Sequence, residues 1–192
     1  MRVEPATALR PRRLLQPDEF RRTLWRLASE LRERHPEGDP LLCGILTRGA
    51  FLAQRLLGLT VEQGHRGWEA ASLDVGPYRD DAPRLRPQGS LPPPLPFATK
   101  EAVADRDVIL VDDVLFHGRT ARAALAAVAE LGRPRAVELL VMVDRGHREL
   151  PLRATYVGRN LPTSEAERVL VQLQECDGHD QVLLRPDREA RP

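Results

Sequence analysis

Apolar positions recur along this chain with two different periods, and each period predicts one kind of element. After Pro17, apolar residues stand at positions 20, 24, 27, 28 and 31, which is the spacing of one face of an amphipathic α-helix. Residues 50–57 and 122–131 also predict helices. Strands that alternate with helices predict an α/β fold, with a mainly parallel central sheet flanked by helices. Short apolar runs predict these strands over residues 41–46, 70–75, 108–111, 136–143, 154–157, 169–173 and 182–184.

Two segments have no such period. Residues 1–16 are predicted to form an N-terminal arm or loop. Residues 76–98 include six prolines between positions 83 and 96, and a segment this long and proline-rich is typical of a lid or a linker. Because regular structure resumes on both sides, we expect a flexible lid loop within a single domain of residues 1–192.

Charge and composition exclude some functions. The formal net charge of the 192 residues is +1, so nucleic-acid binding would need a local basic patch and not a global field. No signal-peptide pattern or apolar run of membrane length is present, which predicts a cytoplasmic protein with no membrane partner. The two cysteines lack metal-ligand spacing, which favours free thiols in a reducing compartment.

Residues 108–120, with the sequence VILVDDVLFHGRT, carry the clearest chemical signal. A buried strand leads to Asp112 and Asp113, and a loop with Gly118 and Thr120 precedes a helix. The carboxylates can accept hydrogen bonds from ribose hydroxyls, while loop amides and the helix N-terminus donate to a phosphate. The pattern predicts a site for a phosphorylated sugar at the carboxyl edge of the sheet. The alternative is a structural role in which the two carboxylates cap a helix or bind a metal.

This segment resembles the phosphoribosyl-diphosphate (PRPP) motif of the type I phosphoribosyltransferases. Further blocks are similar to the PyrR family, whose members regulate pyrimidine operons and act as uracil phosphoribosyltransferases. The resemblance runs from about residue 17 through most of the chain, and it implies the type I fold with a small hood. The blocks are Thr47-Arg48-Gly49, Tyr78-Arg79-Asp80-Asp81, VDRGHRELP at 143–151, YVGRN at 156–160 and PTS at 162–164.

The resemblance implies that uracil and PRPP react to give UMP and pyrophosphate. Magnesium is expected to enter with the pyrophosphate of the substrate and not at a separate protein metal site. Asp112, Asp113 and Arg48 are the expected catalytic residues. Tyr78, Arg79 and Asp80 belong to the lid, and Asp144, Val157 and Gly158 are assigned to uracil. The residues expected to bind PRPP or nucleotide are Thr47, Arg48, Gly49, Asp112, Asp113, Val114, Leu115, Phe116, His117, Gly118, Arg119 and Thr120.

Three positions bear on the details of that site. Purine phosphoribosyltransferases usually carry an acid where Phe116 stands, so this residue argues against a purine, and its ring is expected to stack on or wall off a pyrimidine. The PyrR family usually has threonine where His117 stands, and an imidazole N–H can replace that donor to the 5′-phosphate. Gly49 is expected to permit an unusual backbone angle.

The resemblance also implies binding of pyrimidine-operon leader mRNA when UMP or UTP occupies the active site, by a dimer or tetramer. The residues assigned to RNA are His147, Arg148, Arg153, Arg159 and Trp25. Trp25 replaces a family threonine and could stack on a base or pack at a subunit interface. The alternative is a phosphoribosyltransferase for a different base with no RNA-binding role.

Overall fold

The computed structural model describes residues 11–80 and 91–187. One turn of 3₁₀ helix, Gly76–Tyr78, follows the third strand. The regular elements are, in chain order, β1 (Arg12–Leu15), α1 (Pro17–Arg34), β2 (Leu41–Ile45), α2 (Arg48–Glu62), β3 (Glu69–Leu73), α3 (Lys100–Val103), β4 (Asp107–Leu115), α4 (Arg119–Leu131), β5 (Ala136–Asp144), β6 (Tyr156–Asn160), β7 (Glu167–Gln172), α5 (Gln174–Asp177) and β8 (Gln181–Pro186).

The central sheet has five parallel strands in the order β3-β2-β4-β5-β6. All five residues of β2 are buried, as expected for a parallel strand covered on both faces. The predicted α/β fold with a mainly parallel sheet is therefore confirmed. Strand β3 lies on one side of β2, and the next strand, β4, lies on the other side. The order of the strands therefore reverses at β2. In such sheets, ligands bind at the carboxyl ends of the strands where the order reverses, so β2 and β4 mark the place of a site.

Helices cover both faces of this sheet. On one face, α1 and α2 bury residues such as Phe20, Leu27 and Leu52 against Ile109 and Val111 of β4. On the other face, α4 buries a row of alanines against alternate residues of the same strand. This alternation follows from the two-residue period of a strand. The small alanine side chains let α4 lie close to the sheet beside the site.

A second, antiparallel sheet with the order β1-β8-β7 forms the predicted hood. The prediction of an arm or loop over residues 1–16 was wrong for Arg12–Leu15, which pair with β8 and end on fully buried Leu15. The short strand was missed because four residues are too few to show a period. Residues 1–10 lie outside the described residues.

Several boundaries differ from the sequence prediction. Strand β4 continues four residues past position 111, so the acidic pair lies within the strand and not after it. Helix α4 begins at Arg119, three residues earlier than predicted. The predicted lid is shorter at its C-terminal end, because Ser72 N–H donates to Pro96 C=O at 2.7 Å and Ala98 N–H donates to Ser72 C=O at 2.9 Å. Residues 81–90 of the predicted lid lie outside the described residues.

Among the described residues, no helix is both long enough and apolar enough to span a bilayer.

Candidate phosphoribosyl site

The loops after β2 and β4 meet at the carboxyl edge of the sheet. Thr47 precedes the first residue of α2, and Gly118 precedes the first residue of α4. Gly49 lies inside α2 at the point where this helix touches β4: a Cβ there would lie 2.2 Å from the carbonyl oxygen of Val111. The expected unusual backbone angle at Gly49 is not found, since its φ is not positive. Glycine is required here for close approach of two backbones.

The acidic pair occupies the centre of this crevice. Asp112 Oδ1 accepts a hydrogen bond from the Asp113 N–H at 2.9 Å, and Asp113 Oδ1 accepts one from the Val114 N–H at 2.9 Å. Burial and the negative charge of Asp113 raise the pKa of Asp112 well above its usual value, and Arg79 opposes this shift. Burial also raises the pKa of Asp113, and the positive charge of Arg48 opposes this shift. Two half-buried carboxylates at adjacent positions form a site that favours bound cations or hydroxyl donors.

The loop after β4 wraps around a cavity of about 120 Å³. Gly118 has φ +94°, a conformation that residues with a side chain rarely adopt. This backbone angle turns the chain directly into α4. The first amides of α4 have no helical acceptor, so they and the helix dipole favour an anion in this cavity. The residues that line it are Arg79, Asp112, Val114, Leu115, Phe116, His117, Gly118, Arg119, Thr120 and Ala121.

Arg119 is the first residue of α4, and acidic residues hold it on two sides. Its Nε donates to Glu149 Oε2 at 2.8 Å, its Nη2 lies 2.6 Å from the same oxygen, and its Nη1 lies 3.5 Å from Asp80. Asp80 also pairs with Arg122 at 3.1 Å. The Tyr78 hydroxyl donates to Glu130 at 2.6 Å. Tyr78 and Asp80 of the predicted lid are therefore attached to α4, next to the loop that follows β4.

Phe116 lies between two cationic or polar groups. The His117 ring stacks on it with centroids 3.6 Å apart, and the Arg145 guanidinium carbon lies 3.8 Å from its centroid. Two groups this close to one centroid must occupy opposite faces. The expectation that this ring stacks on a pyrimidine therefore fails for its faces, and only the ring edge remains to wall off a ligand. Arg145 was missed because nothing in the sequence signals which ring it covers.

The residues predicted to bind uracil do not share one environment. Asp144 is the last residue of β5, and its carboxylate accepts hydrogen bonds from Arg148 and from the Gly146 N–H. Val157 and Gly158 lie inside β6, and their carbonyls accept from Arg26 Nη2 at 3.0 and 2.6 Å. No motif in the sequence pointed to Arg26 at this strand. The role of Asp144, Val157 and Gly158 toward a base stays a prediction.

The residues predicted to bind RNA separate into two groups. His147 Nε2 lies 2.6 Å from the Thr163 carbonyl, and the Arg148 guanidinium is bonded inside the protein. Arg148 donates to the carbonyls of Phe116 at 2.7 Å and Gly146 at 2.9 Å, as well as to the Asp144 carboxylate. Arg148 therefore braces the loop that follows β4. Trp25, Arg153 and Arg159 are exposed.

Only some of the exposed residues lie on one surface. Arg153 lines a groove beside α4, on the face of the sheet opposite α1. Arg159 lines a polar cavity of about 260 Å³ together with Arg22 and Arg26 of α1. Trp25 shares that helix face, since positions 22, 25 and 26 are three and four residues apart. The spacing of these residues could have revealed the basic face of α1 from the sequence.

No three histidine, cysteine, aspartate or glutamate side chains within residues 11–80 and 91–187 are grouped to hold a metal ion. The donor set of the crevice suits magnesium held in part by a substrate. Magnesium commonly uses one or two carboxylates, several waters and substrate phosphates. Asp112 and Asp113 each use Oδ1 to accept a backbone amide, so their Oδ2 atoms are the oxygens that suit such an ion.

Comparison with known proteins agrees with this geometry. Residues 13–174 match the family model described as "Phosphoribosyl transferase domain". The chain resembles a hypoxanthine phosphoribosyltransferase structure from Staphylococcus aureus with a TM-score of 0.65 and 16% identity over 93% of each chain. At this identity the likeness shows the fold alone. The fold, the crevice and the matched domain define a phosphoribosyltransferase.

More similar relatives narrow the family. "Bifunctional protein PyrR" of Streptomyces coelicolor is 52% identical over 178 residues, which cover 90% of this chain and 89% of that protein. The protein of the same name from Deinococcus radiodurans is 49% identical over 173 residues, covering 89% and 92%. The chain belongs to the PyrR family. The family predicted from the sequence is confirmed.

Proposed function

We propose that this protein transfers the phosphoribosyl group of PRPP to uracil, and that a uridine nucleotide in the same site enables it to bind the leader mRNA of pyrimidine genes. One observation carries the proposal: the acidic pair of β4 meets the glycine-bent loop of α4 where the strand order of the sheet reverses. The bifunctional name of the relatives supports the pairing of the two roles.

In the transferase reaction, the bond between the ribose C1′ and pyrophosphate breaks while a bond from C1′ to a uracil nitrogen forms, and the proton of that nitrogen leaves to water or to the released pyrophosphate. Asp112 and Asp113 would accept hydrogen bonds from the ribose hydroxyls. The loop from Phe116 to Thr120 would hold the 5′-phosphate at the N-terminus of α4. Arg48, at the first turn of α2, would stabilise the negative charge that grows on the departing pyrophosphate.

Magnesium would be held beside Asp112 and Asp113, through water and the pyrophosphate oxygens. When bound, it neutralises charge on the leaving group. Tyr78, Arg79 and Asp80 would close over PRPP and exclude water, which would otherwise consume the substrate by hydrolysis.

The choice of uracil over a purine rests on Phe116. Its two faces are covered by Arg145 and His117, and a phenyl edge cannot exchange a proton with a purine nitrogen. An assay of nucleotide formation with uracil, hypoxanthine, guanine and adenine tests this choice. UMP should form about tenfold faster or more than any purine nucleotide. Comparable rates with hypoxanthine would support the alternative, a phosphoribosyltransferase for another base.

The regulatory role requires coupling between nucleotide and RNA. Arg148 braces the loop after β4 and binds Asp144 at the end of β5, and Asp144 pairs with Asn160 of β6, the neighbour of Arg159. If UMP favours the state that binds RNA, RNA must tighten UMP binding by the same factor. A gel shift with leader RNA, with and without UMP, tests this. Equal RNA affinity in both conditions would contradict the role. We also propose that the protein acts in the cytoplasm and that it binds RNA as a dimer or tetramer.

Replacement of His117 by alanine should weaken PRPP binding. The imidazole N–H would donate a hydrogen bond to the 5′-phosphate, and a hydrogen bond to a charged group contributes about 1.5 kcal/mol or more. We expect the affinity to fall about tenfold at constant pH, measured by calorimetric titration with PRPP and magnesium. His117→Thr keeps a hydroxyl donor at this position and should retain most of the affinity. His179→Gln changes an exposed hood histidine and should bind PRPP as the wild type does; a His117→Ala variant that does the same would exclude a phosphate contact.

Removal of the exposed arginines beside α1 should weaken RNA binding and leave nucleotide binding intact. Arg22 and Arg159 flank one cavity, and each phosphate that an arginine ceases to bind should reduce the slope of log affinity against log salt by about one. We therefore expect Arg22→Ala with Arg159→Ala to lower RNA affinity about tenfold or more at low salt, measured by gel shift in two salt concentrations. Arg168→Ala, on an exposed position of β7, is the matched control. Equal affinities for the two variants would place the RNA elsewhere.

A further inference from the structure

Arg48 forms a salt bridge with a residue of the hood. Its Nη2 donates to both carboxylate oxygens of Asp177, at 2.9 and 3.1 Å. Asp177 is the last residue of α5, far from Arg48 in the sequence but next to it in space. The pair joins the first turn of α2 to a segment that carries no motif of the predicted site.

Asp177 is itself fixed in place. Its Oδ2 accepts a hydrogen bond from the Leu173 N–H at 2.9 Å, and its own N–H donates to the Leu173 carbonyl at 2.7 Å. Its side chain is 17% exposed, against 37% for Arg48. The hydrogen bond from Leu173 thus fixes the position of the Asp177 carboxylate independently of Arg48.

The remaining contacts of Arg48 do not explain its position. Its Nε–H is buried and donates to no acceptor among the described residues. An unsatisfied buried donor costs free energy, and the two hydrogen bonds to the Asp177 carboxylate offset that cost. Both hydrogen bonds to Asp177 come from Nη2, so Nη1 takes no part in them. Nη1 is therefore the guanidinium nitrogen that can face a departing pyrophosphate.

We propose that Asp177 is a positioning residue for phosphoribosyl transfer: it holds the Arg48 guanidinium beside the acidic pair so that the group is in place when pyrophosphate departs. The inference rests on the proposed function, because it assigns Arg48 to the leaving group. Asp177 touches neither substrate nor the reacting atoms and acts through Arg48.

Steady-state kinetics of UMP formation test this with Asp177→Asn. The amide keeps the size of the side chain but removes the charge that orients Arg48. We expect kcat to fall about tenfold, with the KM for uracil within about twofold of the wild type, since misplacement of a catalytic group lowers the rate more than binding of a separate substrate. Inhibition by pyrophosphate should weaken in parallel. Asp177→Glu keeps the charge and should recover part of the rate.

A double-mutant cycle separates positioning from simple stabilisation. If Asp177 acts through Arg48, Asp177→Asn should change kcat less than about twofold in an Arg48→Ala background. Asp180→Asn is the matched control, because Asp180 joins the same segment to α2 through Arg55, at 2.9 and 3.0 Å. This control should lower the melting temperature as much as Asp177→Asn and leave kcat unchanged.

Additive losses of kcat in the cycle, or an equal loss in Asp180→Asn, would overturn the inference and leave a structural role for the pair. A wild-type kcat in a folded Asp177→Asn variant would do the same. A wild-type protein that binds PRPP and magnesium by calorimetry but forms no UMP would instead contradict the proposed function. In that case pyrophosphate affinity is the measured quantity, and an unchanged value in Asp177→Asn again overturns the inference.

Discussion

Replacement of Asp112 by asparagine is expected to give a protein that is nearly inactive and yet more stable than the wild type at neutral pH. In the proposed reaction, activity falls because the amide removes a negative charge that would accept hydrogen bonds from ribose hydroxyls and attract magnesium. A loss of about 10²–10³-fold in kcat/KM is typical when one preorganised electrostatic group is removed. Stability rises because burial and Asp113 raise the pKa of this carboxyl in the folded state.

The sign of the stability effect follows from proton binding. A carboxyl whose pKa is raised by folding binds more protons in the folded state than in the unfolded state above the ordinary pKa of aspartate. Stability is therefore lost as pH rises through this range, and asparagine avoids that loss. The gain should shrink as pH falls below about 4, where aspartate becomes protonated in the unfolded state as well. In a protein of this size, each ~1 kcal/mol corresponds to about 2–4 °C in melting temperature.

Asp107, on the same strand, is the matched control. Arg135 lowers the pKa of this carboxyl, with Nε and Nη2 at 2.8 and 2.6 Å from its oxygens, and His35 adds to the shift. Asp107→Asn should therefore lower the melting temperature at neutral pH, with a loss that disappears as pH falls below the pKa of the folded state. Melting curves from about pH 2 to 8 compare the two variants. A fall in stability for Asp112→Asn at neutral pH would show that its carboxylate stabilises the folded protein.

Replacement of Gly49 by alanine should disrupt both the fold and the site. The added methyl would lie 2.2 Å from the Val111 carbonyl oxygen and 3.3 Å from the Asp112 Cα. Both neighbours are backbone atoms of a central strand and cannot rotate away, so α2 must move from the sheet. We expect a destabilisation of about 3 kcal/mol or more, the upper end for overpacked cores. A shift of α2 by about 1 Å also misplaces Arg48 and can lower the rate about 10²-fold.

Gly58 offers a control on the same helix. An alanine Cβ at position 58 meets no atom within 4 Å. Because alanine favours helix by about 1 kcal/mol over glycine, Gly58→Ala should stabilise the protein slightly and leave kcat unchanged. Urea unfolding and UMP formation measure both variants. A Gly49→Ala protein as stable and active as the Gly58→Ala protein would mean that the contact between α2 and β4 is not tight.

The sequence alone predicted the elements whose local pattern is strong. The helix after Pro17 and the buried strands have clear periods, and the predicted α/β fold and PyrR family are both confirmed. Boundaries were less accurate. The acidic pair was expected after the strand, because carboxylates are rare within buried strands. In the structure β2 pairs with β4 only as far as Val111, which leaves Asp112 and Asp113 open to the crevice on that side.

The contacts that decide the site were harder to predict. Arg145 over Phe116, Arg26 on the carbonyls of β6 and Asp177 on Arg48 each join residues that are far apart in the chain. A single arginine in a chain with 29 basic residues carries no local signal of its partner. The separation of Arg153 from Arg159 also depends on the faces of the sheet, and not on the short distance between them in the sequence.

The sequence by itself determined the type of elements, the parallel sheet and the glycine turn of the loop after β4, because hydrophobic period and turn chemistry act over a few neighbouring residues. The tertiary structure decided which side chains reach that loop. It covered both faces of Phe116, bound Arg148 inside the protein and placed Asp177 of the hood on Arg48. These contacts follow from how the strands are ordered and how the hood packs on α2, and such packing is set by the whole folded chain.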